Sequence, residues 1–105
     1  MGDRSNIQVI HPDGNSIWLY GHWMGEENVS IVEEAFLEGR RISDADYFTR
    51  ILFCKMLKLD AEALDGSTGF GIGTRMADQD HNNEIVVIDY THMINGQPEV
   101  RREKP

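Results

Sequence analysis

A chain of 105 residues with 40% apolar residues is long enough for one domain around one core. Its 18 acidic against 10 basic residues give a net charge of −8, which speaks against ordinary nucleic-acid binding and against docking on an anionic membrane. One cysteine, Cys54, excludes a disulfide framework within the chain, and it sits in an apolar pattern that makes a buried structural thiol the expected state.

The first predicted elements form a β-hairpin. Residues 6–11 alternate, with Ile7 and Val9 on one side and Gln8 and Ile10 on the other. Pro12-Asp13-Gly14-Asn15 is a turn signal, and a second strand follows over residues 16–21. On that strand Ile17, Leu19 and Gly21 share one face, while Trp18, Tyr20 and His22 share the other. Both faces are rather apolar, so this strand is expected to be covered on both sides or to face a partner. A tight Gly21-His22-Trp23 corner ends it.

Residues 25–28 read as a polar connection. Ser30-Ile31-Val32-Glu33 has capping-box spacing and predicts a helix over residues 31–38, stopped by Gly39. Ile31, Val32, Ala35 and Phe36 make its buried stripe. Glu26, Glu27, Glu33, Glu34 and Glu38 surround it with acidic charge, most simply a solvated face. A second helix starts at Ser43 or Asp44 and runs to about Leu59, with Ala45, Phe48, Leu52, Met56 and Leu59 at three- and four-residue steps. Asp60 to Asp65 would extend it by a turn before Gly66.

In the glycine-rich stretch over residues 66–74, Gly69, Gly71 and Gly73 fall on one face of an extended chain. The stretch lacks the ending of a phosphate loop, so an edge strand or close packing is the simpler expectation. Residues 84–90 form the clearest strand, and their continuous apolar run predicts a central position. Asn95-Gly96 reads as a hairpin turn, and Pro98 allows only a short edge strand after it. Residues 1–100 are therefore expected to form a single α+β domain, with 101–105 a flexible basic tail. The expected architecture is an antiparallel sheet of about four strands with two helices on one face, in the order ββααββ.

Three groups of residues have chemical potential. Asp78-Gln79-Asp80-His81-Asn82-Asn83 resembles the start of a calcium loop, with Asp89 at the twelfth place, but Asn83 replaces the turn glycine and Asp89 is shorter than the usual Glu. A solvated hairpin loop is the ordinary reading. His11, His22, His81 and His92 have no metal-ligand spacing. Ser67, His92 and Asp89 can be written as a nucleophilic triple, as can chance triples in most chains of this length. No catalytic residue, cofactor or metal is therefore expected.

Leu19-Tyr20-Gly21-His22-Trp23, residues 47–53, Thr68-Gly69-Phe70-Gly71-Ile72 and Ile85-Val86-Val87-Ile88-Asp89 occur in that order. This order resembles a group of small uncharacterised proteins encoded by bacteriophages and prophages of actinobacteria. The resemblance spans about the middle three-quarters of the chain and implies a phage context, with no catalytic residue.

The leading functional expectation is a small acidic non-enzymatic protein-interaction domain that binds a host or cellular protein with a basic surface. Trp18, Tyr20, His22, Trp23, Glu33 and Glu34 are the expected partner-binding residues. The alternative is a small-ligand or metal-binding module built on the glycine-rich segment or the Asp78–Asn83 loop. Self-association as a two-fold homodimer is a further expectation, because the hairpin carries more apolar residues than one sheet face needs. No leader and no membrane-length apolar run is seen, so the expected compartment is cytoplasmic, the host cell's if the chain is phage-encoded.

Overall fold

Alternating side chains over Ser5–Ile10 and Ser16–Gly21 produce β1 and β2, joined by the predicted turn with Gly14 at φ +87°. The computed structural model describes residues 3–59 and 69–105. Among the described residues two helices follow, α1 (Glu27–Glu38) and α2 (Ala45–Leu57), then β3 (Phe70–Gly73), β4 (Ile85–Ile94) and β5 (Gln97–Glu103). The sheet has five strands in the order β3-β2-β1-β4-β5. All pairs are antiparallel except β1 with β4, which run parallel from Ile7↔Val86 to Ile10↔Asp89.

The α+β class and the two helices agree with expectation, but the sheet is mixed rather than antiparallel and has five strands rather than four. The fifth is the glycine-rich β3, which pairs with β2 from Trp18↔Gly73 to Gly21↔Phe70. The parallel pair arises because the chain leaves β3 on one edge and returns across β2 and β1 before entering β4. That route inserts β4 beside β1 in the same direction. Its central position matches its apolar run: Ile85 through Tyr90 are all buried.

β5 is longer than Pro98 led us to expect, at seven residues. It lies at the sheet edge, and Pro98 pairs with Met93 where the ladder with β4 shifts register, so the missing N–H costs little there. Residues 101–103, expected in the tail, pair with Val87, Val86 and Ile85.

The first helix also begins earlier than its Ser30 box suggests. Glu26 precedes it without a side-chain cap. What fixes this turn is tertiary: the buried Asn28 donates its amide to the carbonyls of Asn6 (3.1 Å) and Glu84 (2.8 Å). Gly39 ends α1 in the left-handed region as predicted, at φ +66°. Asp44 caps α2, its carboxylate accepting from the Tyr47 amide. Leu59 lies past the end of α2 and is exposed. The turn expected over residues 60–65 lies outside the described residues.

Both helices cover the face that carries Ile7, Val9, Leu19, Val86 and Ile88. Ile31, Val32 and Ala35 of α1 and Phe48, Leu52 and Met56 of α2 complete the core. Phe36 meets Phe48 edge-on at 5.4 Å. Tyr90 closes one end, its hydroxyl donating to the Ile42 carbonyl at 2.7 Å, and burial pushes that hydroxyl's pKa above its usual value. Cys54 is part-buried on α2. No helix among the described residues is long and apolar enough to cross a membrane.

Ser5 is fully buried on the helix-covered face, and its hydroxyl has no hydrogen-bond partner among the described residues. Ser5→Ala is therefore expected to be neutral or to stabilise by up to about 1 kcal/mol, since it removes an unpaired polar group. A thermal melt that drops by several degrees would contradict this.

Candidate functional site: the aromatic end of the sheet

Side chains alternate along β2, so Trp18 and Tyr20 point away from the helices, as expected, together with Asn6 and Gln8 of β1 and Gly71 and Gly73 of β3. Much of this second face is covered by the chain itself. The connection over residues 74–84 crosses it from β3 to β4. Asn6 is wholly buried beneath that connection and donates to the Ala77 carbonyl (3.1 Å) and the Gln79 side chain (2.9 Å). Arg4 clamps the next turn, its amide and guanidinium donating to the two carboxylate oxygens of Asp80 at 2.8 and 3.0 Å. Asn83, also buried, donates to Asp3 (2.8 Å) and to the Arg4 carbonyl (3.0 Å).

These bonds correct the reading of residues 78–83 as a solvated hairpin loop. β3 and β4 are not neighbours, and the segment is a strap held across the sheet. They also remove the calcium-loop geometry. Both Asp80 oxygens are taken by Arg4, whose hydrogen bonds hold the carboxyl below the usual carboxylate range. Asp89 lies buried in β4 rather than closing a loop.

The strap crosses beside the Tyr20–His22 end of the aromatic strip, since Asn6, which it covers, pairs with Tyr20, and Asp3 is bonded to both the His22 carbonyl and the strap's Asn83. Trp18 and Tyr20 are half-buried, and His22 lies just past the end of β2. The Tyr20 hydroxyl and His22 Nδ1 are hydrogen-bonded at 3.1 Å, and the His22 amide donates to the Gly69 carbonyl. Burial is the largest influence on the Tyr20 hydroxyl and raises its pKa. The Trp23 ring stands edge-on to His22 at 4.9 Å and is 66% exposed. Gly21 is needed at this corner, because a Cβ there would meet the Met24 Cβ at 2.6 Å. Gly69 packs equally tightly on His22, whereas a Cβ on Gly71 would meet nothing within 4 Å.

The expected partner-binding residues thus fall on two surfaces. Trp18, Tyr20, His22 and Trp23 form one strip. Glu33 and Glu34 lie on α1, in the helix layer across the sheet. Glu33 is exposed, and Glu34 is bonded, with Glu38, to the Lys55 ammonium at 2.6 and 2.9 Å.

A second polar cluster sits at the β4–β5 bulge. Asp89 accepts from the Thr91 amide and hydroxyl, from Arg101 Nη1 at 3.0 Å, and lies 3.2 Å from His92 Nδ1. Its ligand atoms, with those of His92 and Glu99, converge within 4.8 Å. Arg101 already supplies the positive charge there, since Nη1 also donates to Glu99 at 2.8 Å. Of the proposed nucleophilic triple, only the Asp89–His92 contact is seen; Ser67 lies outside the described residues. His11 contacts Asp46 and Thr49, each at 3.3 Å, beside a shallow depression of about 510 Å³ whose other polar residues include Asp13 and Ser16.

Burial alone would push the Asp89 carboxyl up, but the bonds from Thr91, Arg101 and His92 all favour its charged form and hold it well below the usual carboxylate range. A depressed folded-state pKa stabilises the fold above the unfolded value and is lost as pH falls through the folded one. Thermal stability is therefore expected to decline below about pH 4. The decline should be shallower in Asp89→Asn, which has no carboxylate to protonate. Parallel melting-temperature profiles for the two proteins between pH 5 and 2 would contradict this.

Arg4, Asn6 and Asn28 were not singled out from the sequence, and Asn83 was read only as a loop position, although the four tie the strap and α1 to β1. Single polar residues within an alternating strand give no such signal until their partners are known. Comparison of the chain with protein-family models, curated proteins and solved structures finds no match.

Proposed function

We propose that this chain is a small acidic protein-interaction domain without catalytic activity, and that it binds through the exposed Trp23 corner beside its aromatic strip. The observation that carries this reading is Trp23, a large aromatic side chain left mostly exposed and held at a set angle by His22. Trp is among the residue types that dominate binding energy when a partner desolvates them. The resemblance to small phage proteins makes a host protein the expected partner, and the charge of −8 favours one with a basic surface. Glu33 and Glu34 steer such a partner only at long range, because they lie across the sheet from the strip.

Affinity capture from host lysate tests the proposal. The wild-type chain should retain a protein that Trp23→Ala loses, while melting temperature stays within a degree or two. A protein held equally by both would place the binding surface elsewhere. A homodimer is a separate proposal, and its original motive is weaker now that the strap covers part of the second face. Sedimentation velocity across a range of concentrations tests it, with a constant monomer coefficient ruling it out.

A further inference from the structure

We propose that the homodimer forms by β3 pairing with its own copy, antiparallel about a two-fold axis at Ile72, so that two five-stranded sheets join into one. This rests on the homodimer reading and is independent of the Trp23 corner. The two edges of the sheet, β3 and β5, are built differently. β5 carries Glu99, Arg101, Arg102 and Glu103, and Pro98 removes one of its donors. Charge and proline are among the means by which an edge strand resists adding another strand. β3 has neither, and no charged residue occurs over residues 69–74. Only its shortness limits pairing there. Two copies that each carry a net charge of −8 repel one another, so a neutral edge is the place for them to meet.

The β3 backbone is turned to receive a strand. The Gly69 carbonyl accepts from the His22 amide, and Gly71 lies opposite Tyr20, so these glycines direct their backbone groups at β2. By alternation Ile72 directs its amide and carbonyl out of the sheet edge. Two opposed Ile72 residues then supply each other with one donor and one acceptor. Their side chains meet on the face shared with Leu19, where Ile72 is 60% exposed in the single chain. Gly71 adds a second observation. Its φ is outside the left-handed region, and a Cβ there would meet nothing within 4 Å. Neither its conformation nor its surroundings in the chain call for a glycine, a residue that weakens a strand interior. In the dimer Gly71 lies opposite Gly73 of the second copy, and the missing side chains let the two backbones approach closely.

So short an edge buries less than a standard interface, and the dimer should be weak, half-formed on the order of 0.1 mM. Sedimentation velocity of the full chain from micromolar to millimolar concentration should show monomer passing to dimer. Ile72→Lys sets two ammonium groups opposite each other at the axis and should weaken the dimer about fivefold or more. Val100→Lys on β5 makes the same change in net charge and should alter it less than about twofold. Hydrogen exchange of the Ile72 amide in the unmodified chain should slow as the dimer forms, and it decides the matter if Ile72→Lys fails to fold. A monomer at every concentration would overturn the inference together with the homodimer. A dimer unaffected by Ile72→Lys, equal losses from both lysines, or Ile72 exchange that stays fast would overturn β3 pairing and leave the homodimer to another surface.

Discussion

Phe48→Ala is expected to destabilise the domain by about 3–5 kcal/mol, the range for truncating a fully buried aromatic residue. Phe48 has no exposed surface, is among the largest fully buried side chains, and meets Phe36 edge-on across the two helices. Its ring ties α1 and α2 into one layer over the sheet, so its loss would both open a cavity and uncouple the helices. A domain of this size has a total stability of about 5–15 kcal/mol, so the variant should be marginal at room temperature. Urea unfolding followed by circular dichroism measures the change. A loss below about 1 kcal/mol would mean that the helices are held by something other than this contact.

Asn6→Ala is expected to cost about 2–4 kcal/mol, because it strands buried polar groups rather than removing apolar contacts. The Asn6 amide is the inner clamp of the strap, and its loss leaves the Ala77 carbonyl and the Gln79 side chain without their donor. The damage should be local first. Amide hydrogen exchange over residues 77–83 should quicken, while α2 keeps its protection relative to global unfolding. Unchanged exchange in the strap would mean that the Arg4–Asp80 and Asn83 bonds fix it without Asn6.

The helices were legible in the sequence because their buried stripes recur at helical spacing: Phe48, Leu52 and Met56 are core residues as read, and Gly39 and Asp44 terminate and cap where they should. β4 was legible as a central strand for a different reason, an unbroken apolar run. Neither the parallel β1–β4 pair nor the strap was. Both depend on where the chain goes after β3, and a polar stretch such as residues 74–84 carries no periodicity that says whether it bulges into solvent or crosses a sheet. The start of α1 was misplaced because Asn28 is fixed by carbonyls 22 and 56 residues away, which a local capping pattern does not contain. In the candidate site, the faces of Trp18 and Tyr20 followed from alternation. The greater exposure of Trp23 did not, since alternation stops at the end of β2 and does not say that Met24 rather than Trp23 enters the core.

The exposed Trp23 corner carries the proposed binding surface, which photo-crosslinking in cells that express the protein tests. A photoreactive residue is placed at position 23 in one protein and at position 37 in another. Leu37 is 90% exposed on α1, in the helix layer, and serves as the matched control. The structure-based expectation is one discrete crosslinked partner from position 23 and none from position 37. Crosslinks of the same partner from both positions, or from position 37 alone, would contradict a binding surface at the Trp23 corner.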